Sequence, residues 1–331
     1  MIRSDSLDRT FVEEVLAEPG GEHLLTCWSC GTCSATCLVR RYDPAFNPRV
    51  ILRKAGLGMR QAVLSSAEIW LCSACDKCYG RCPKEIHISD VMGAIRAIAI
   101  REGYQRPGAV AAVDVARCVA CGMCQAVCPY EAVTLQEVAW NRRTRTAAQV
   151  DASACMGCGI CSAVCPSVSI SVPGQADAQV HADLAGRGLA QVPEGGWQGK
   201  VLVLACNWCT HTEADARAAA ESLPGVEIIR VACAGRVSPL MVMAGLQMGA
   251  SAVLVVGCGE GECHYKQGSA LEEGRLAVLQ RLLETLGLPP QRVQFFRLGS
   301  LERGRFGELV ANAAESAREP VPFALNVRGG Q

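Results

Sequence analysis

At 331 residues, half of them apolar and only 5% aromatic, the chain is long enough for two or three domains with buried cores. Lysine plus arginine and aspartate plus glutamate both number 32, which gives no electrostatic case for nucleic acid or an anionic membrane. The N-terminal MIRSDSLDRTFVEEVL lacks the apolar core of a signal peptide, and no apolar run approaches the ~18 residues of a membrane span, so a soluble, cytoplasmic protein is expected.

Taken in chain order, residues 6–18 place Leu7, Phe11, Val15 and Leu16 on one helical face, with Pro19 and Gly20 as a stop. NPRVILRKAGLGMRQAVLSS predicts two short helices broken near Gly56 and Gly58, with Pro48 suited to a first helical position. ISDVMGAIRAIAIREGY predicts a further helix that ends at Gly103. Residues 1–106 therefore read as all-α. The next module, 107–174, reads as α+β: PYEAVTLQEVAWNRRTRTAAQVDASA has short alternating runs around a polar NRRTRT turn, and PSVSISV adds another strand. Residues 175–199, rich in Gly, Pro, Ala and Gln, read as a linker or extended arm. From 200 to 331, the runs KVLVLAC, VEIIRVAC, ASAVLVVGC and RVQFFRL alternate with helical stretches that begin at 211, 238, 267 and 300. That alternation predicts an α/β doubly wound parallel sheet.

Cysteine dominates the chemistry. There are 21, an odd number in a chain without an export signal, which points to metal binding rather than a disulfide framework. Sixteen fall into four copies of C-x2-C-x2-C-x3-C: Cys27, Cys30, Cys33, Cys37; Cys72, Cys75, Cys78, Cys82; Cys118, Cys121, Cys124, Cys128; and Cys155, Cys158, Cys161, Cys165. This spacing wraps three thiolates around one [4Fe-4S] cluster and sends the fourth to its neighbour. Paired quartets then exchange their last ligand. The expected sets are Cys27, Cys30, Cys33 with Cys82; Cys72, Cys75, Cys78 with Cys37; Cys118, Cys121, Cys124 with Cys165; and Cys155, Cys158, Cys161 with Cys128. Proline follows the fourth cysteine at Pro83, Pro129 and Pro166, but Leu38 follows Cys37. The bland alternative, zinc sites or reduced core cysteines, fits less well because zinc favours two C-x2-C hooks. Four oxidised clusters at about −2 each would shift the neutral chain to roughly −8.

The remaining thiols, Cys206, Cys209, Cys233, Cys258 and Cys263, lie at or just after the ends of the predicted strands, the edge where doubly wound sheets bind ligands. Four of the five would suffice for a [2Fe-2S] or [4Fe-4S] cluster or for zinc, and which one is spare stays open. GCGEGECHYKQGS resembles a phosphate loop superficially, yet it lacks the Lys-Ser/Thr pair and places Glu260 and Glu262 where phosphate would be repelled. His264 and His211 invite a mixed Cys/His site, although positions beside it or at the surface are the simpler expectation. Trp208 and Tyr265 are expected to pack against the site, and His23, His87 and His181 to face solvent.

These motifs carry family resemblances. CWSCGTCSATC, ILRKAGLG and WLCSACDKCYGRCPKEIHISDVMGAIRAIAIREGY, over about residues 20–105, resemble the helical iron-sulfur C subunit of heterodisulfide reductase. CVACGMCQAVCP with CMGCGICSAVCP is similar to two-cluster ferredoxins. LACNWCT, IIRVACAGRVSP and GCGEGECHYKQGS, over about 200–300, resemble the delta subunit of methyl-viologen-reducing hydrogenase, matching at all five cysteines and at Arg236, Val237, His264 and Tyr265. That last resemblance implies a [2Fe-2S] cluster relaying electrons between a hydrogenase or formate dehydrogenase and the flavin subunit of a heterodisulfide reductase-type complex. Together the resemblances imply an electron-transfer subunit with four [4Fe-4S] clusters and one [2Fe-2S] cluster, its catalytic chemistry residing in partners. The competing expectation is an autonomous reductase, fed by the ferredoxin modules, with its substrate at the five-cysteine site.

Overall fold

The computed structural model describes residues 7–106, 108, 110–175, 177–184, 200–209, 218, 221, 223, 225–299, 302 and 304–316. The chain folds as two compact units, Met1–Val110 with Asp151–Met156, and Ala111–Val150 with Gly157–Gln331.

The first unit is helical: α1 (Arg9–Ala17), α2 (Thr32–Thr36), α3 (Leu38–Tyr42), α4 (Pro48–Gly56), α5 (Arg60–Leu64) and α6 (Ile88–Arg101). Asp8 caps α1 by accepting from the Phe11 amide, and Asn47 caps α4 ahead of Pro48 in the same way. Phe11 and Val15 of α1, Ile51 and Leu52 of α4, and Val91, Ile95 and Ile98 of α6 meet in the core, all nearly inaccessible to solvent. Each such side chain contributes about 1.5–3 kcal/mol by leaving water. The predicted break between α4 and α5 is realised at Gly58, whose φ is +76° and where a Cβ would stand 2.4 Å from the Asp8 carbonyl oxygen. Arg60 then ties three helices together, its Nε donating to Asp8 at 2.7 Å and its remaining nitrogens pairing with Glu14 and Glu102.

In the second unit β1 (Ala112–Val113) is followed by α7 (Met123–Ala126), the hairpin β2 (Val133–Trp140) and β3 (Arg143–Val150), α8 (Ile160–Ala163) and β4 (Ile170–Ser171). The hairpin pairs Val133 with Val150 through to Trp140 with Arg143. Its turn is only Asn141 and Arg142, both at positive φ, so the remainder of the predicted NRRTRT turn continues the strand. β4 pairs with β1, a two-residue strand too short to carry a sequence signal.

Next come α9 (Asp177–Leu184), β5 (Val201–Cys206), β6 (Val226–Val231), α10 (Pro239–Gln247), β7 (Ala252–Cys258), α11 (Gly268–Thr285), β8 (Val293–Leu298) and α12 (Arg305–Ser316). The four long strands form one parallel sheet in the order β6-β5-β7-β8. Every residue of β5 and β7 is buried, as befits central parallel strands written as unbroken Val/Leu runs. Part of the expected linker is thus helical. Among the described side chains of DAQVHADL, Val180 is the buried apolar one, and Asp177 adds polar anchoring to Arg236 and Ser238 that sequence periodicity does not reveal. The rest of that stretch, 185–199, and nearly all of the helix expected from 211 lie outside the described residues. Among the described residues no helix is long and apolar enough to cross a membrane.

Candidate metal centres

All four quartets share one backbone device. The residue before the second cysteine has a left-handed conformation each time: Ser29 (φ 55°), Ala74 (49°), Ala120 (54°) and Gly157 (65°). The residue after it does too: Gly31 (87°), Asp76 (57°), Gly122 (77°) and Gly159 (78°). Left-handed backbone flanking a cysteine curls successive amides inward, the kind of concavity that binds anions and iron-sulfur centres. Asp76, the one non-glycine in the second position, accepts a hydrogen bond from the Ser89 hydroxyl. A third left-handed residue lies three beyond the fourth cysteine at Glu85, Glu131 and Val168, where its amide donates to the carbonyl of Cys82, Cys128 or Cys165. Those are the three quartets with a following proline. After Cys37, where Leu38 replaces it, the chain enters α3 instead.

The unit of α1–α6 brings cysteines of its two quartets together. Cys27, Cys30, Cys33 and Cys82 line a single small cavity, closed by Ile86 and Ile88. Burial pushes the Cys37 thiol up to about 11, and Cys72 and Cys75 are the thiols close enough to add repulsion. Arg96, 1% exposed, donates to the carbonyls of Ile69 (2.8 Å) and Cys72 (2.5 Å) and so fixes the entry to the second quartet. In the other unit, burial raises the Cys124 thiol, with Cys165 and Cys121 as its charged neighbours. Cys165 is itself held at about 7, burial being outweighed by hydrogen bonds from the Ser169 and Ser167 hydroxyls and the Ser169 amide.

The sheet gathers the last five thiols. Cys206 and Cys258 end the adjacent strands β5 and β7, with their sulfurs 3.8 Å apart. Cys233 follows β6, and Cys263 sits in the turn after β7. Cys206 is within hydrogen-bond reach of Cys209, Cys233 and Cys258, while Cys263 is within reach of Cys233 and Cys258. Four sulfurs therefore close a ring, 206–233–263–258. Cys209 is within hydrogen-bond reach of Cys206, and its thiol faces the carbonyls of Cys206 (3.2 Å) and Val256 (3.3 Å). Accepting from neighbouring thiols holds Cys206 and Cys263 far below the usual thiol range, while donating to them drives Cys233 and Cys258 up. Among the described residues, no group of three or more His, Cys, Asp or Glu is gathered for a single metal ion.

The surroundings of the ring are equally specific. The amide of Ser269, at the start of α11, donates to Cys263, where the positive end of an 18-residue helix favours thiolate. At Gly268 a Cβ would stand 2.2 Å from the Cys233 sulfur, so the glycine of KQGS admits the helix to the site. His264 is 3% exposed, stacked on Trp208 with ring centroids 3.3 Å apart and met edge-on by Tyr265. Burial lowers its imidazole to about 3, and its Nδ1 has no hydrogen-bond partner. Trp208 and Tyr265 pack at the site as expected, His23 and His87 are exposed, and His211 lies outside the described residues.

Arg236 joins this site to the ferredoxin-like module. It is 1% exposed, donates to the Gln175 carbonyl at 2.8 Å and to Asp177 at 2.6 Å, and Asp177 also accepts from Ser238 at 2.9 Å. Its stem covers Gly159, where a Cβ would lie 2.4 Å from Arg236 Cδ. Ile160 packs 3.1 Å from the Cβ position of Gly235. The turn carrying Cys158 and Cys161 thus rests directly on the turn that leaves Cys233.

The methyl-viologen-reducing hydrogenase delta subunit family matches residues 201–319, and 4Fe-4S dicluster families match residues 23–86 and 117–168. The iron-sulfur D subunit of the F420-non-reducing hydrogenase of Archaeoglobus profundus is 36% identical over 129 residues, 38% of this chain and 94% of that protein. The chain belongs to the hydrogenase delta subunit family. Its delta-type domain is the one that carries the thiol ring. The C subunit of the H(2):CoB-CoM heterodisulfide,ferredoxin reductase of Methanothermobacter thermautotrophicus is 36% identical over 107 residues, 32% of this chain and 57% of that protein. The A subunit of the ferredoxin:CoB-CoM heterodisulfide reductase of Methanosarcina mazei is 32% identical over 253 residues, covering 74% of this chain but 30% of that protein.

Proposed function

We propose that the chain is an iron-sulfur electron-transfer subunit that relays electrons between a hydrogenase or formate dehydrogenase-type donor and a flavin-containing, electron-bifurcating heterodisulfide reductase-like complex in the cytoplasm. An all-α domain (1–106) and a bacterial-type ferredoxin domain (107–174) hold two [4Fe-4S] clusters each, in the exchanged sets given above. A doubly wound domain (200–331) holds a [2Fe-2S] cluster. Support for the exchange comes from the cavity shared by Cys27, Cys30, Cys33 and Cys82, and from the neighbourhoods of Cys37 and Cys165. In the C-terminal domain Cys206, Cys233, Cys258 and Cys263 are the ligands and Cys209 is spare, because its S–H already donates to two backbone carbonyls. Bound clusters would supply one-electron redox centres. The protein's own contribution is to bury them, aim amides and hydroxyls at the sulfurs, and hold neighbouring centres at fixed separation.

The observation that carries this reading is the contact of the Cys158–Cys161 turn with the Cys233 turn, where the Arg236 stem and Ile160 pack directly against the glycines of the facing turn and bring two candidate centres side by side. An autonomous reductase would need a route for substrate to the thiol ring, whereas all five thiols and His264 are buried. Iron and labile-sulfide analysis of the anaerobically purified protein tests the proposal. Roughly 18 irons per chain are expected, four fours and a two, with a flavoprotein co-purifying. A preparation dominated by zinc overturns it.

A further inference from the structure

The first quartet meets solvent in a way the C-terminal ring does not. Cys30 is exposed, and Trp28 beside it is 70% exposed, with Leu25 at 58%. Two open depressions flank this edge. One, about 630 Å³, runs from Cys27 and Trp28 to Arg49, Arg53 and Lys54. The other, about 440 Å³, passes Cys37 and is bordered by Arg40, Arg41 and again Arg49. No carboxylate lines either one. Lys84 completes the collar, its ammonium 5.1 Å from the centre of the Trp28 ring. In a chain with equal numbers of acids and bases this is a local excess of cations. Helix α4 contributes three of them and no acid. Arg49 and Arg53 are exposed, so their charges act on approaching molecules as well as on the site beneath.

We propose that this collar is the docking face of an acidic electron-carrier protein with a one-electron centre of its own, and that electrons cross at the Cys30–Trp28 edge. The proposal rests on reading Cys27, Cys30, Cys33 and Cys82 as the ligands of an iron-sulfur cluster. One electron leaves the reduced carrier, which is oxidised, and reduces by one unit the centre those cysteines hold; no bond forms or breaks and no proton moves. An apolar patch of Trp28 and Leu25 within a charged rim is the anatomy of a short-lived complex, steered by charge and released quickly. Small electron-transfer encounters of this kind bury little area.

Stopped-flow reduction of the anaerobic full-length protein tests the proposal, with a small acidic bacterial two-cluster ferredoxin, chemically reduced, as the probe. The second-order rate constant is expected to fall at least about tenfold between roughly 0.05 and 0.5 M salt, as screening removes the steering. The double variant Arg53→Glu/Lys54→Glu, clear of the cysteine turn, is expected to slow the low-salt rate at least about tenfold. It should converge with the unaltered protein at high salt and keep its iron content and paramagnetic signals. Reversal of the exposed Arg281 on α11 is the control and should change nothing. A rate indifferent to salt and to the double variant, in protein with full iron, overturns the docking face and leaves the electron-transfer reading intact. So does a double variant that shifts the potential of the centre but keeps the original salt dependence, since the collar then serves only the cluster. Absence of iron at the first quartet would sink the reading beneath it instead.

Discussion

Each quartet sets its first three thiols within seven consecutive residues, whereas the thiol ring draws its four from three strand ends between positions 206 and 263. The quartets are local objects: their geometry lives in the left-handed residues around the second cysteine and needs little from the rest of the fold. The ring is a tertiary object. It exists because β5 and β7 are neighbours in register, because β6 delivers Cys233 from the other side of β5, and because Gly268 lets α11 close against it. Sites built in these two ways should fail differently.

The sharpest separation comes from single serines. Cys258→Ser should abolish the C-terminal spectroscopic species and leave about 16 of about 18 irons, while Cys209→Ser should leave both species and iron count unchanged. If Cys209→Ser also loses the species, the ring of four is the wrong set. Next in size is Arg236→Ala. Breaking a buried ion pair by removing one partner costs about 3–5 kcal/mol, and Asp177 would lose its charge partner. Thermal unfolding of the second unit should shift downward and the C-terminal signal should weaken. The clusters of α1–α6 should be untouched. Rescue by Asp177→Asn in the same chain would show that the unpaired charge, rather than lost packing, is responsible.

Legibility in the sequence follows the same division. The sixteen quartet cysteines and the exchange proposed for them rest on spacing, because the pattern is local and repeated. Glycine stands at 31, 122, 157 and 159 of these turns, but Ser29, Ala74, Asp76 and Ala120 adopt the same left-handed backbone without any compositional sign. The four parallel strands were visible as buried runs. β1 was not, since two residues have no period. Convergence of the five C-terminal thiols was legible from strand ends, yet what sets Cys209 apart was not: its thiol meets two carbonyls, and Val256 lies on another strand. Arg236 could be matched to a family but not understood, because its partner Asp177 sits 59 residues earlier in a stretch that reads as linker. His264 was expected beside the site or at the surface, and only the fold shows it buried against Trp208.

The smallest expected effects bear on the quartets themselves and form a reciprocal pair. Ala120 holds φ at 54°, where a Cβ costs roughly 1–2 kcal/mol. Ala120→Gly should therefore stabilise the turn, less the ~0.5–1 kcal/mol by which glycine favours the unfolded chain, a net gain of at most about 1.5 kcal/mol. Gly122→Ala runs the other way. Space is not the obstacle, since the added Cβ would meet only Leu135 Cδ1 at an ordinary 3.8 Å. The cost should then be conformational alone, about 1–2 kcal/mol less the same ~0.5–1 kcal/mol that alanine takes from the unfolded chain. The rate at which a chelator strips iron from the second unit reads both, slower in Ala120→Gly and faster in Gly122→Ala, with the C-terminal signal unaffected. Equal rates in the two variants would mean that the left-handed pair accompanies the cysteines without holding them. The contrast between a site fixed by local backbone and one fixed by the fold would then have to be abandoned.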